Sequence, residues 1–237
     1  MTYRTAGRAL ILGLTGSVLT HTPVLARQEM NRLTASERAD GWELLFDGST
    51  TNAWRGFRQT SMPYGWQVVD GALARVSSGG DIITKEQFRN FELSLEWKVA
   101  EAGNSGVMFR VTEDRRRTWH SGPEMQVLDD ARHRDGRVPE TSAGSNYGLH
   151  APKPGAVRPA GSWNSARLLV REHHVEHWLN GIKVVEYELE SAEWERLVSQ
   201  TKFDTIPSYG RQRTGHIALQ DHGDWVAYRN IKIKRMP

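Results

Sequence analysis

Cysteine is missing altogether from this 237-residue sequence. Its absence excludes disulfides, thiol nucleophiles and thiolate metal sites, so the fold must stand on packing alone. A glycine-rich phosphate loop and a Gly-x-Ser-x-Gly elbow are also absent, which removes two common catalytic signatures. Nor is there an excess of one charge: 31 Lys and Arg stand against 28 Asp and Glu, a formal +3. A chain so nearly balanced offers no electrostatic basis for a nucleic-acid partner. Long apolar runs are lacking too. The best candidate, Ala9 to Leu19, is too short for a bilayer, which takes about 20 such residues.

That run instead lies between a basic start, with Arg4 and Arg8, and the small-residue ending Val24-Leu25-Ala26. Basic, apolar and small-residue regions in this order are the pattern of a secretory leader. We expect cleavage after Ala26, a periplasmic or secreted product and no membrane span once the leader is gone. The mature chain would have 211 residues and a charge of +1, since the leader carries two arginines and no acid. Residues 27–40 read as a polar lead-in, and 41–237 as one domain large enough to bury a real core.

What is present is mostly strand. Phe91, Leu93, Leu95 and Trp97 alternate with Glu92, Ser94, Glu96 and Lys98, and Val107, Phe109 and Val111 alternate with Met108, Arg110 and Thr112. Asn180-Gly181, between His177-Trp178-Leu179 and Ile182 to Val185, is a strong hairpin signal. Gly215 to Gln220 and Val226 to Ile233 read as two further strands. Ser191 to Lys202 departs from this pattern, with Trp194, Leu197 and Val198 on one helical face and Ser191 as N-cap. Arg132 to Arg158 is a long irregular loop, of the kind that in compact domains is usually functional or disordered. Many short strands with one minor helix imply an all-β sandwich.

Two stretches carry candidate chemistry. On a strand, Glu124 and Gln126 share a face, so that face is either wet or a cleft. Arg110, on the polar face of a neighbouring strand, could orient a carboxylate or donate to substrate oxygens. Asn104-Ser105-Gly106 offers small hydrogen-bonding groups at a turn. The second stretch is Gln220-Asp221-His222-Gly223-Asp224, where a histidine beside aspartates could be an oriented general base or only a loop residue. A divalent metal would draw on Asp129, Asp130 and His133, with His120 or His216, although no tight ligand spacing is present. Nine tryptophans suit both a sandwich core and stacking on sugar rings.

Taken in order, these segments resemble the 3-keto-disaccharide hydrolase family, whose fold is a concanavalin A-like, jelly-roll β-sandwich. The resemblance rests on Gly41-Trp42-Glu43-Leu44-Leu45-Phe46-Asp47-Gly48, Gly103 to Val107, Glu124 to Asp129 and Gly161-Ser162-Trp163-Asn164. It continues through His177 to Gly181, Gln220 to Gly223 and Arg229-Asn230-Ile231. The resemblance implies a carbohydrate substrate whose C3 carbonyl acidifies the C2 proton. A base removes that proton, the enolate expels the group at C1, and water adds across the double bond. On this basis His222, oriented by Asp221, is the expected base and Glu124 the acid, with the two roles exchangeable. Arg110 or a bound metal would meet the enolate oxygen, and Gln126, Tyr147, Trp66, Ser105 and Gln220 would hold the sugar. Two other readings stay open. One is a retaining glycosidase using Glu124-x-Gln126-x-x-Asp129, and the other a lectin-like module without chemistry.

Overall fold

Alternation along the sequence becomes alternation in space. The computed structural model describes residues 1–2 and 30–237, so the apolar run and cleavage site of the expected leader lie outside the described residues. The described elements begin with α1 (Ala35–Ala39), β1 (Trp42–Leu44), β2 (Trp54–Gly56), β3 (Trp66–Val69), β4 (Ala72–Arg75) and β5 (Ile82–Thr84). Next come β6 (Phe91–Val99), β7 (Asn104–Val111) and β8 (Glu124–Leu128). The order closes with β9 (Asn164–Arg171), β10 (His174–Leu179), β11 (Ile182–Glu188), α2 (Ala192–Val198), β12 (His216–Leu219) and β13 (Val226–Arg235).

The strands form two antiparallel sheets. Eight make one sheet in the order β11-β10-β9-β6-β13-β4-β3, with β1 also paired to β13, and five make the other in the order β2-β5-β12-β7-β8. This is the all-β sandwich expected from the strand pattern. Along β6, Phe91, Leu93, Leu95 and Trp97 are buried between the sheets while the intervening residues stay partly wet. Val107 and Phe109 of β7 and Met125 and Val127 of β8 meet them from the opposite sheet. Phe91 and Phe109 touch edge to face, centroids 6.4 Å apart, and so join the two layers. Burying each such side chain contributes about 1.5–3 kcal/mol.

Three local departures from simple patterning position the functional face. The first is a bulge. Arg110 has φ +54°, and the β7–β12 register slips between His216↔Val111 and Ala218↔Met108, so two residues of β7 oppose Ile217. Gly215 lies against this bulge; a Cβ there would stand 2.4 Å from the Arg110 carbonyl carbon. The bulge breaks the period of two. It takes Arg110 off the polar face and buries it at 2 % exposure, where Nη2 donates to the carbonyls of Glu172 at 2.7 Å and Arg89 at 3.2 Å.

The second is the long loop after β8. Its segment 144–147 runs beside the otherwise free edge of that strand, exchanging Gln126 N–H to Ser145 O, Gly144 N–H to Gln126 O and Tyr147 N–H to Glu124 O. An edge that would expose unpaired backbone is thereby covered. The third is the link from β12 to β13. These strands lie in different sheets, so Gln220 to Trp225 crosses the end of the sandwich instead of closing a hairpin.

Residues 30–40 are more than a tether. Thr34 and Glu37 form a capping box on α1, and the backbone N–H groups of Asn31 and Asn230 each donate to the other residue's Oδ1. The motif Thr34-x-x-Glu37 announces that helix in the sequence, so among the described residues two short α-helices accompany the strands where one was expected. The second, α2, starts as expected with Ser191 Oγ accepting from Trp194 N–H. It ends at Val198, and Lys202 opens a separate 3-10 turn, Lys202–Thr205, capped by Thr201.

Candidate active site

The outer face of the five-stranded sheet carries a cavity of about 430 Å³, within the size range of small-molecule sites. Glu124 and Gln126 of β8, Asn104 of β7 and Gln220 at the end of β12 line it from the sheet. Loops supply Phe57, Gly80, Asp81, Arg116, Arg117, Trp119, Tyr147, Lys202, Asp221 and His222. Glu124 and Gln126 do share a face, while Met125 and Val127 between and beyond them enter the core.

Glu124 is the most perturbed group in the cavity. It is 7 % exposed, and among the described residues no group hydrogen-bonds to its carboxyl. Burial raises its pKa to about 8; Lys202 opposes that shift, and the charges of Asp81 and Asp135 add to it. Near neutral pH it is therefore largely a protonated acid. The carboxyl lies directly over Gly106, where an added Cβ would stand 1.9 Å from Oε1. Only glycine at 106 leaves Glu124 this position.

Around it are acceptors without donors. Asn104 Oδ1, Gln126 Oε1 and Gln220 Oε1 are buried and lack hydrogen-bond partners among the described residues. The Gln126 amide is oriented by Nε2 donating to Thr141 O at 3.1 Å. Unsatisfied buried acceptors are uncommon in folded proteins, and these three belong to residues that line the cavity.

Lys202 brings the cation. Its Nζ stands 4.8 Å from the Trp119 ring centroid, 4.5 Å from that of Tyr147 and 5.3 Å from that of Phe203. Desolvation lowers its pKa, and Glu124 and Asp135 counteract this. Behind it a stacked column runs from Phe203 through Tyr209, Trp194 and Tyr187 to His150, with neighbouring centroids 3.9–5.7 Å apart. Desolvation also raises the Tyr147 phenol above its ordinary value. Asp81, whose pKa burial raises, accepts from Thr118 Oγ1 and from Asp221 N–H.

The structure redistributes several expected roles. His222 is exposed at the cavity wall, has no hydrogen-bond partner among the described residues, and has the His133 ring centroid 6.2 Å away. Asp221 does not orient it. Its carboxylate accepts from Arg75 Nε at 2.7 Å and from the N–H groups of Gly79 and Gly80, both at 2.9 Å. Burial opposes ionisation there, but these donors hold the pKa below its ordinary value. Asp221 thus ties the loop before β5 to the loop bearing His222.

Arg110, turned away by its bulge, does not line the cavity. Trp66 also lies away from it, in the core, stacked on Tyr228 and donating from Nε1 to Gly80 O. Ser105, fully buried and pointing between the sheets, hydrogen-bonds Gln220 O and the Tyr228 hydroxyl, both at 2.7 Å.

The expected metal candidates serve the backbone instead. Asp129 accepts from Ala102 and Ala131 N–H, Asp130 from Ala143 N–H, and His133 Nδ1 from Asp135 N–H. His216 is held by the carbonyls of Thr84 and Glu86. Among the described residues the group with metal-like proximity is His174, Glu176 and Glu186 on the other sheet, and there Lys183 bridges both carboxylates.

Asp81, Arg116, Arg117, Trp119, Phe57 and Lys202 were not singled out in the sequence. The only signals were Gly79-Gly80 before Asp81 and the run Arg115-Arg116-Arg117. Lys202 had none, since loops far apart in the chain converge only in space.

Comparison with known proteins shows the family. A 3-keto-disaccharide hydrolase of Bacteroides thetaiotaomicron is 33% identical over 248 residues, spanning 91% of this chain and 86% of that protein. A crystal structure from Parabacteroides distasonis, provisionally named a glycosyl hydrolase, superposes with TM-score 0.82 at 34% identity, covering 88% of this chain and 100% of that one. A second from the same organism, with the same provisional name, gives TM-score 0.67 at 28% identity, covering 82% and 99%. The family model for the 3-keto-alpha-glucoside-1,2-lyase-like domain matches residues 41–234, and the chain belongs to that family.

Proposed function

We propose that this protein is a carbohydrate-active enzyme that cleaves 3-keto glycosides by elimination and hydration, with Glu124 as the proton donor to the leaving group. The observation that carries this reading is Glu124 itself: a buried carboxyl, proton-bearing at neutral pH, unpartnered, in a cavity that also holds an imidazole and an ammonium group. A strongly perturbed acid in a cleft is a candidate for a catalytic role.

In the proposed cycle His222 takes the C2 proton and the electron pair moves onto the C3 carbonyl oxygen. Lys202 replaces Arg110 as the cation for that developing oxyanion, because it faces the cavity and Arg110 does not. Glu124 gives its proton to the glycosidic oxygen as the C1–O bond breaks. Water then adds to the C1=C2 bond: Glu124 recovers a proton from the water as hydroxide reaches C1, and His222 returns a proton to C2. One water is consumed, and a 3-keto sugar and an alcohol are released. Asn104, Gln126 and Gln220 supply a polar lining for sugar hydroxyls, and Trp119 and Tyr147 offer ring faces.

The alternatives lose support on specific geometry. A retaining glycosidase needs a second carboxylate about 5–5.5 Å from the first, and Asp129, the partner suggested by the motif, is committed to Ala102 and Ala131 outside the cavity. A lectin-like module has no use for a buried protonated acid.

The test is to incubate the protein with p-nitrophenyl glucoside and its 3-keto counterpart, with and without chelator, in D2O. Release from the 3-keto substrate alone is expected, with deuterium entering C2 to the extent that the proton held by His222 exchanges with solvent before it is returned. Release from the plain glucoside, or no release from the 3-keto substrate, would overturn the elimination route. Loss of turnover with chelator would assign the oxyanion to a metal and not to Lys202.

A further inference from the structure

Arg116 and Arg117 line the cavity, yet the cycle above gives them no work. Both are exposed, and among the described residues neither side chain makes a hydrogen bond or an ion pair of its own. Several other arginines of this protein are paired. Arg55 is paired with Glu113 at 2.7 Å, Arg75 with Asp221 at 2.7 Å and Arg229 with Glu96 at 2.6 Å. Arg115, the third member of the run, is paired with Asp114 at 3.2 Å.

The carboxyls of the cavity do not compensate the pair. Glu124 is largely protonated near neutral pH, and Asp221 is already held by Arg75 and two backbone N–H groups. Asp81, the group in the cavity that feels the charge of Arg117, is engaged by Thr118 and Asp221 N–H. Asp135, whose field reaches Glu124 and Lys202, lies 3.4 Å from Arg134. With Lys202 the cavity thus holds three cations without carboxylate partners within ion-pair distance, on either side of the Trp119 ring in sequence. A cleft lined by one sign of charge concentrates ligands of the other sign. Each guanidinium group also matches the planar, bidentate geometry of carboxylate, sulfate and phosphate oxygens.

We infer that this cavity selects glycosides that carry an anionic group, such as a carboxylate or a sulfate or phosphate ester, with Arg116 and Arg117 as its receptors. The inference rests on assigning this cavity to the sugar, and it concerns which glycoside enters and not the chemistry that follows. Anchoring by charge suits an exposed wall, because an ion contact tolerates variation in the rest of the substituent.

Binding tests this without requiring turnover. Dissociation constants are measured by calorimetry at low salt for 4-carboxyphenyl glucoside, 4-sulfophenyl glucoside and the neutral 4-carbamoylphenyl glucoside. The anionic ligands should bind about tenfold more tightly or better than the neutral one, as expected for one charge-assisted contact pair. That ratio should fall towards one in R116Q/R117Q and persist in R167Q, which removes an arginine from the opposite face. Selectivity for only one of the two anions would identify the natural substituent as carboxylate or as sulfate-like, and would support the inference. Equal affinity for all three ligands, no detectable binding of any, or an unchanged ratio in R116Q/R117Q would overturn it. A neutral 3-keto glycoside turned over alongside equal affinities would sink the anion preference and leave the elimination chemistry standing. A preserved anion ratio with no 3-keto turnover would do the reverse.

Discussion

On the outer face of the eight-stranded sheet, Glu92 meets Arg167, Arg229 meets Glu96, and Lys183 lies 3.2 Å from Glu176 and 2.5 Å from Glu186. On the outer face of the five-stranded sheet, among the described residues, Glu124 has no partner, three amide oxygens accept nothing, and Arg116 and Arg117 pair with nothing. Both faces are polar, but among the described residues it is the second that leaves buried amide oxygens unsatisfied. Paired surface charges contribute little to stability and keep the face soluble. Unpaired buried groups cost stability, and persist where a ligand or a reaction uses them.

Glu124→Gln should break this contrast most strongly. The amide keeps the shape of the protonated acid but cannot donate its proton, so kcat/KM on a 3-keto glycoside should fall by about 10²–10⁴-fold. Near-unchanged folding of that variant, read by circular dichroism, would place the loss in chemistry. Gly106→Ala reaches the same group indirectly. The new methyl must displace the carboxyl, and a misplacement of about 1 Å is expected to cost on the order of 10²-fold in kcat. Wild-type turnover in that variant would mean Glu124 acts from another position.

Arg110→Met sharpens the comparison from the structural side. It should cost about 1–3 kcal/mol in denaturant unfolding, because two buried carbonyls lose their donor. It should leave KM for the 3-keto glycoside unchanged; a raised KM would put Arg110 back at the substrate.

The pH dependence follows from the same carboxyl. Its pKa is raised from 4.5 to about 8 in the fold, so the folded state holds a proton that the unfolded chain gives up. The associated stability is fully present below pH 4.5 and is lost as pH rises towards 8. Glu124→Gln should flatten that part of the Tm–pH curve, and wild-type activity should fall on an alkaline limb near pH 8. The smallest effect is expected at the paired face, where Arg167→Gln should cost about 0.2–1 kcal/mol and leave turnover untouched.

Much of the sandwich was legible in the sequence. Period-two alternation in 91–98 set the inward face of β6, and Asn180-Gly181, with φ +50° and +83°, made the β10–β11 hairpin. Glu124 and Gln126 could be assigned to one face because alternation needs no knowledge of partners. Those inferences are local, and local sterics and burial determine them.

What tertiary structure decided is what depends on neighbours. The bulge opposite Ile217 removed Arg110 from the site, since one extra residue reverses every later side chain on a strand. The glycine N–H groups at 79 and 80 claimed Asp221, which sequence adjacency had assigned to His222. Lys202 joined the site from a turn beyond α2, and Asp81 from the loop before β5. Their proximity to Glu124, and the desolvation that keeps that acid protonated, exist only once the loops close over one end of the five-stranded sheet.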